Sequence, residues 1–201
     1  MKKLYILLIL SLFSLTVSSQ NDSRAKQILD KTFSAINSSN GIQIKFKGTS
    51  SGTLLMKKAK FHLNSNEIQT WFDGKTQWSY VKGSDEVNIS SPTPAELHSV
   101  NPYFILSSYK KGFNYKYVGE KSVSGKKTYQ IMLTPQKNGS IKSISLFITP
   151  NNEPLMINVS EKNKKSYNWH VISYNNKLKL NDSTFRFDKE KYPNAEIIDL
   201  R

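Results

Sequence analysis

Apolar and polar residues follow two periodicities along this chain. In the segment 23–39 the apolar residues recur at helical spacing, and Asp22 or Ser23 can cap the first turn. From Ile42 to Phe46 every second residue is apolar, and similar alternation continues through most of the remaining chain. The pattern predicts one amphipathic N-terminal helix followed by many half-buried β-strands.

The segment from Gly52 to Tyr80 has the densest alternation and predicts three or four strands joined by tight turns. Apolar residues two positions apart share a strand face here, namely Leu54 with Met56, Phe61 with Leu63, and Trp78 with Tyr80. Asp73-Gly74 between two of these strands suits a hairpin turn, because Asp-Gly tolerates positive φ angles. The surplus of large apolar side chains predicts a curved sheet whose concave face holds an apolar ligand.

Further strands are predicted downstream, where turn residues separate alternating segments. They are Glu86–Ser90, Phe113–Val118, Lys127–Leu133, Ile141–Ile148, Leu155–Ser160, Tyr167–Tyr174 and Thr184–Phe187. Between the predicted strands Glu86–Ser90 and Phe113–Val118, Pro94 lies at the start of a predicted short helix. The segment Asn101–Leu106 is apolar on every side, so we expect it to be buried against a larger part of the fold.

The predicted fold is α+β and is built on one strongly curved antiparallel sheet of about eleven strands. The short loops between successive strands indicate antiparallel neighbours. A sheet of that width curls, so we expect an incomplete, half-open β-barrel. The N-terminal helix and the short central helices are expected to cover its concave side.

The first residues predict export. Lys2 and Lys3 precede an apolar run from Leu4 to Val17, and small residues follow. This is the pattern of a cleavable signal peptide over residues 1–19, which leaves 20–201 as a single domain. The chain contains no cysteine, so neither disulfides nor a lipid-modified cysteine is expected. We therefore predict a periplasmic protein.

The formal net charge is +14 at pH 7. The lysines are scattered rather than clustered, and no nucleic-acid-binding motif is present. We attribute the charge first to a solvated lysine-rich surface and second to attraction to anionic membranes or partners. No nucleic acid is expected as a partner, and a monomer is predicted.

No set of catalytic or metal-binding residues stands out. His62, His98 and His170 lack a second ligand at metal-binding spacing, and all three are predicted to lie at the surface. The sequence has no nucleophile elbow, phosphate-binding loop or zinc-protease helix motif. These observations predict no enzyme, no metal and no cofactor.

Large apolar side chains are the stronger functional signal. Burying an acyl chain contributes about 0.8 kcal/mol per methylene, so an apolar cavity can bind lipid through buried area. The residues predicted to line such a cavity are Leu54, Met56, Phe61, Leu63, Ile68, Phe72, Trp78, Tyr80, Tyr103, Phe104, Leu106, Leu146 and Ile148.

Four segments occur in an order that is typical of one family, namely Gly52–Phe61, Phe72–Tyr80, Asn101–Leu106 and Thr184–Phe187. Together with the helix before them, they make the chain resemble the periplasmic outer-membrane lipoprotein carrier proteins of the LolA type. The run Asp-Gly-Lys-Thr-Gln-Trp-Ser-Tyr in the second segment is the most specific part of the resemblance.

The resemblance implies a carrier without catalysis, which holds the acyl chains of lipoproteins and shuttles them from the inner to the outer membrane. Its expected partners are acylated lipoproteins, an inner-membrane lipoprotein-releasing ABC transporter complex and an outer-membrane acceptor. Two alternatives stay open. One is a lipid- or lipoprotein-sensing regulatory protein of the same fold, and the other is a small-molecule enzyme on that fold.

The resemblance also implies a lid latch. An arginine followed by proline is usual in the family's strand motif, and Lys58 and Ala59 occupy the matching positions here. Placed on the same strand face as Leu54 and Met56, Lys58 would line the cavity with its stem. Its ammonium group would then reach carbonyl groups of the lid, although without the planar fork of donors that arginine has.

Overall fold

The structure, a computed structural model, describes residues 22–110 and 112–201. The predicted signal peptide lies outside these residues. The first element of the described residues is helix α1 (Ser23–Ser38), as the helical spacing predicts. Asp22 caps it, because its Oδ1 accepts hydrogen bonds from the backbone N–H groups of Arg24 at 2.8 Å and Ala25 at 3.1 Å.

Twelve strands follow the helix in the part of the chain that the structure describes. They are β1 (Ile42–Gly48), β2 (Gly52–Lys57), β3 (Lys60–Ser65), β4 (Ile68–Phe72), β5 (Gln77–Val81), β6 (Glu86–Ser90), β7 (Phe113–Val123), β8 (Lys126–Pro135), β9 (Ile141–Ile148), β10 (Pro154–Glu161), β11 (Ser166–Asn175) and β12 (Glu196–Asp199). They form one open, curved sheet in the order β12-β6-β5-β4-β3-β2-β1-β11-β10-β9-β8-β7. Neighbours are antiparallel except for β12 and β6, which run parallel. The predicted α+β class and half-open barrel are confirmed, with slightly more strands than expected.

The apolar segment between β6 and β7 folds into a helical lid, which we define as residues 94–109. Its parts are α2 (Pro94–Val100), a 3₁₀ turn (Pro102–Phe104) and α3 (Ile105–Ser108). Thr93 and Glu96 form a capping box at the start of α2, in which the Glu96 carboxylate accepts the Thr93 backbone N–H at 2.7 Å. The predicted short central helix and the burial of the segment after it are both confirmed.

The end of the lid is tied to α1. The Tyr109 hydroxyl donates to Asp30 Oδ1 at 2.5 Å, and the Lys110 ammonium group contacts the same oxygen at 2.7 Å. Hydrogen bonds from Lys110, Lys26 and Tyr109 hold the pKa of the Asp30 carboxyl well below its usual range. Asp30 therefore stays ionised and keeps the lid next to the helix.

The main core lies between the concave face of the sheet, α1 and the lid. Its almost completely buried members include Leu29 of α1, Ile44 of β1, Leu54 of β2, Leu106 of the lid and Ile131 of β8. Both halves of the sheet therefore bury side chains against the same helices. The concave face is the face that can enclose a ligand.

The register between β3, β4 and β5 decides which aromatic residues reach this concave face. Phe72 lies opposite Phe61 of the core, whereas Trp71 lies opposite His62 and Trp78. Because neighbouring partners share a face, Trp78 lies on the convex side with Trp71. Tyr80, two residues further along β5, shares that side. The prediction that Trp78 and Tyr80 line the cavity is wrong for this reason.

Residues 176–195, which we call the C-terminal strap, run from β11 to β12 across the convex side of the sheet. The Lys57 ammonium group donates to the Leu180 carbonyl oxygen at 2.8 Å. Further along, the Tyr192 hydroxyl donates to Gln69 Oε1 at 2.6 Å. The strap covers part of the sheet that would otherwise expose its aromatic residues.

The C-terminal region differs from the strand predicted at Thr184–Phe187. The chain there forms a 3₁₀ helix over Asp182–Phe185, and Phe185 is completely buried. Four residues are too few for the alternation of apolar and polar positions to distinguish a strand from a turn with a buried side chain. The strand of this region is instead β12. Its Ile197 is 44% exposed, so β12 does not have the buried apolar face that an alternating pattern would predict.

Helices long and apolar enough to cross a membrane are absent from the described part of the chain.

Candidate functional site

A cavity of about 330 Å³ lies between the lid and strands β9, β10 and β11. Its walls are mainly apolar or aromatic, and they consist of Ile105 and His98 of the lid, Ile141 and Ile144 of β9, Val159 of β10, and Tyr167 and Trp169 of β11. Ser140 and Glu161 add polar groups at the ends of the strands. We call this space the larger cavity.

A smaller cavity of about 110 Å³ lies between the lid and the first strands of the sheet. Its apolar lining consists of Phe46, Leu54, Leu63, Val100 and Trp169, and its polar lining consists of Ser50, Asn101 and Tyr103. Trp169 belongs to both linings, so the two cavities are neighbours at this residue.

Two contacts hold the Trp169 indole in place. Its ring is stacked on that of Tyr167, with centroids 6.2 Å apart and an interplanar angle of 13°. Its Nε1–H donates to the Ser50 hydroxyl at 3.1 Å. The indole is thus held in one position, and its polar end is satisfied.

Two buried polar atoms, both on residues that line the smaller cavity, have no hydrogen-bond partner among the described residues. They are the side-chain amide nitrogen of Asn101 and the hydroxyl of Tyr103, and both residues are almost completely buried. The Asn101 Oδ1 atom accepts the Tyr103 backbone N–H at 3.0 Å, so the amide NH₂ group is the part left unpaired. Burial raises the pKa of the Tyr103 phenol, which therefore stays protonated and able to donate.

His98 faces the larger cavity, contrary to the predicted surface position. Its ring is half-buried and lies near Phe104 and Phe113, at centroid distances of 5.8 Å and 6.1 Å. Burial lowers the pKa of its imidazole, so the ring is neutral at physiological pH. Helix α2 turns this residue inward, which a single histidine in a short helix does not reveal in sequence.

His62 lies on the convex side, where the strap covers it. Its ring is stacked on Trp71 at 4.9 Å, and its Nε2 is 2.9 Å from the Gln69 amide nitrogen. Burial lowers the pKa of His62 to about 4. The predicted solvent-facing position is wrong, because the sequence does not show that the strap passes here. His170 is half-buried at a position paired with Met156.

The thirteen residues predicted to line a cavity are distributed over several environments. Leu54, Leu63 and Tyr103 line the smaller cavity. The members that pack in the main core are Met56, Phe61, Phe72, Phe104, Leu106, Leu146 and Ile148. Ile68 is 39% exposed at the start of β4. Trp78 and Tyr80 lie on the convex side, as described above.

The residues that the structure places in the lining of the larger cavity are not among those predicted from the sequence. The predicted strands at 141–148, 155–160 and 167–174 correctly contain these residues, and Tyr167 and Trp169 alternate as a shared face requires. However, alternation alone does not identify the strands over which the lid leaves space.

The predicted latch at Lys58 is wrong. Strand β2 ends at Lys57, and Lys58 lies in the following turn with a φ angle of 56° and an exposed side chain. It therefore does not share a strand face with Leu54. The neighbouring lysines hold the strap instead, since the ammonium groups of Lys57 and Lys60 lie 3.4 Å and 2.7 Å from the Asp182 carboxylate.

The open curved sheet, the helical lid and the adjoining apolar cavities define a half-barrel that encloses internal space. Residues 15–163 match the model of a family described as outer membrane lipoprotein carrier protein LolA. Because this match covers more than half of the chain, the chain belongs to the LolA family of outer-membrane lipoprotein carrier proteins. The family resemblance read from the sequence is confirmed.

Solved structures are similar to this chain at low sequence identity. An uncharacterized conserved protein from Thermus thermophilus has a TM-score of 0.65 and 14% identity, over 88% of this chain and 99% of that chain. The lipoprotein LppX from Mycobacterium tuberculosis has a TM-score of 0.47 and 12% identity, over 78% and 98%. A LolA superfamily protein from Nitrosomonas europaea has a TM-score of 0.43 and 10% identity, over 81% and 97%. No protein of curated function matches at a significant level.

Proposed function

We propose that this protein is a periplasmic carrier that encloses the acyl chains of lipoproteins and moves them from the inner to the outer membrane without catalysis. The proposal rests mainly on the larger cavity, because its walls are mainly apolar and it lies beneath a separate helical lid. In this proposal residues 1–19 are removed on export and residues 20–201 form the carrier domain.

The energetics of an apolar cavity suit reversible binding. Ten methylenes transferred from water into it contribute about 8 kcal/mol, which corresponds to a Kd of roughly 1 μM before the costs of ordering the chain. Such a ligand is held during diffusion and is still released to a competing acceptor. A carrier needs both properties.

The proposed partners follow from family membership. They are acylated lipoproteins as cargo, an inner-membrane ABC transporter complex that releases them, and an acceptor at the outer membrane. The excess of 29 lysine and arginine residues over 15 acidic residues supports docking on anionic surfaces. That docking should weaken as salt increases.

The test is to purify the protein from the bacterial periplasm and identify bound molecules by native mass spectrometry. We expect lipid or acylated protein to copurify, and we expect delipidated protein to take up a diacyl probe. Val159→Trp should reduce uptake, because Val159 lines the larger cavity. Ile172→Trp is the matched control, since Ile172 is 59% exposed on β11. Absence of both copurifying lipid and probe uptake would contradict the proposal.

A further inference from the structure

The larger cavity opens at one end of strands β9, β10 and β11. The exposure of its lining increases toward that end, since Ile144 is 2% exposed, Ile141 is half-buried and Ser140, just before β9, is exposed. Glu161 and Tyr167, at the same end of the two neighbouring strands, are half-buried. The mouth of the cavity therefore lies beside the β8–β9 loop and the β10–β11 turn.

Lysines dominate these two connections. The segments 136–142 and 161–166 contain five lysines and one acidic residue, Glu161. All five lysines are exposed, and none of them forms an ion pair within the described part of the chain. The mouth thus carries a strong excess of positive charge that the protein itself does not neutralise. We call this group the basic rim, and it consists of Lys137, Lys142, Lys162, Lys164 and Lys165.

Backbone hydrogen bonds fix the part of the basic rim that lies in the β10–β11 turn. The Glu161 N–H donates to the Lys165 carbonyl at 2.8 Å, and the Lys164 N–H donates to the Glu161 carbonyl at 3.2 Å. The Lys162 N–H donates to the Ser140 carbonyl at 2.8 Å, which ties the turn to the β8–β9 loop. The two connections therefore present their lysines together, next to the mouth.

The chemistry of the basic rim fits an anionic lipid surface. Every basic residue of the two segments is a lysine, whose ammonium group is a compact charge on a flexible stem. Arginine is the residue that suits planar recognition of single carboxylates on a protein partner, and these segments have none. Lysines clustered near a membrane are attracted to the negative potential of its phosphate groups.

We propose that the basic rim docks this protein on anionic phospholipid headgroups, with the mouth of the larger cavity facing the bilayer. This inference rests on the proposed function and deepens it, because it names the surface through which an acyl chain passes between cavity and membrane. The overall excess of basic residues does not require any particular orientation. The basic rim requires one.

The test is flotation of the protein with two kinds of vesicle, one of phosphatidylcholine alone and one that also contains phosphatidylglycerol. At about 0.1 M salt the wild type should bind only the vesicles with phosphatidylglycerol, and high salt should release it. Lys162→Gln/Lys164→Gln/Lys165→Gln should bind roughly a hundredfold more weakly, because each lysine near an anionic surface contributes roughly fivefold. The corresponding triple arginine variant keeps the charge and should bind like the wild type.

Lys58→Gln/Lys121→Gln/Lys126→Gln is the matched control, since it removes the same charge. These three lysines are exposed, form no ion pair among the described residues, and lie at the opposite end of the sheet. Strand β8 connects the two ends and has ten residues, or roughly 30 Å, which is about three Debye lengths at 0.1 M salt. The control should therefore bind within about twofold of the wild type.

A second measurement separates the docking proposal from the carrier proposal. Each variant is loaded with a fluorescent diacyl probe, and its transfer to the vesicles with phosphatidylglycerol is timed. The triple glutamine variant of the basic rim should take up the probe like the wild type but deliver it more slowly. Thermal melts show whether each variant is folded.

The outcomes then differ for the two proposals. If the wild type takes up the probe but binds neither kind of vesicle, or binds both equally, the docking proposal is overturned and the carrier proposal stands. An acidic protein as the true partner would give this result. An equal loss of vesicle binding in the two glutamine variants also overturns docking through the basic rim. Failure of the wild type to take up the probe overturns the carrier proposal and, with it, the passage of acyl chains through the mouth.

Discussion

Removing Trp169 should join the two cavities into one. Trp169 is a lining residue of both the space of about 330 Å³ and the space of about 110 Å³. In Trp169→Ala the smaller space becomes continuous with the larger one, so the volume open to a single chain grows by about one third. The volume vacated by the indole adds to this gain. We expect the longest acyl chain that the cavity accommodates to increase in proportion.

The magnitude follows from the transfer of methylenes. Each additional methylene that enters an apolar cavity contributes about 0.8 kcal/mol, or roughly fourfold in affinity, until no space remains. A series of saturated acyl ligands measured by calorimetry should therefore reach a plateau. In Trp169→Ala the plateau should occur at longer chains. Consider a ligand whose acyl chain is two methylenes longer than the longest chain that still gains affinity in the wild type. The variant should bind this ligand roughly fifteenfold more tightly than the plateau affinity of the wild type.

Trp78→Ala is the control, because Trp78 is also half-buried but lies on the convex side. Both variants lose packing area, so thermal melts are needed to confirm that each is folded. The plateau of Trp78→Ala should match the wild type. An unchanged plateau in Trp169→Ala, or a shift of equal size in Trp78→Ala, would refute the assignment of the chain to these cavities.

Three further predictions concern the strap and the convex side. Phe185→Ala should lower the free energy of unfolding by about 3–5 kcal/mol in denaturant titrations, because Phe185 is completely buried. The pKa of His62 falls from 6.5 to about 4 on folding, so the native state binds fewer protons in that window and stability should decrease as the pH falls through it. His62→Gln should flatten this pH dependence, and an unchanged slope would assign it to other groups. Asp182→Asn removes the carboxylate that Lys57 and Lys60 share, so its small loss of melting temperature should disappear at high salt.

The alternation of apolar and polar residues within one strand is a local property, and it correctly predicts which residues of β1 are buried. Ile42, Ile44 and Phe46 are all buried, as their spacing requires. Pairing between strands depends on the turns that connect them. The turn after β4 sets Phe72 opposite Gln77, and a shift of one residue would have placed Trp78 on the concave face. The prediction that the aromatic residues of β5 line the cavity was wrong because the sequence does not show this register.

The sequence predicts which strands and which lid segment bury apolar residues, but only partly which residues face a cavity. Leu54, Leu63 and Tyr103 line one, because they belong to strands or to a lid that must bury apolar residues. The larger cavity depends on how far the lid stands from β9–β11, and this distance has no local sequence signal. Lys58 illustrates a related limit, since the lysine-rich run from Lys57 to Lys60 does not mark where a strand ends.

The parallel strand β12 has a consequence for how the chain reaches its folded state. It pairs with β6 and is the last strand in the chain, yet β6 belongs to the first half of the sequence. Until β12 is in place, β6 is an edge with unpaired backbone groups that can join another copy of the chain. β12 carries Glu196 and Asp199, whose charges oppose such pairing once folding is complete. We therefore expect β12 to protect β6 from self-association, and a variant without the β12 residues should aggregate while the concave face of the sheet is still intact.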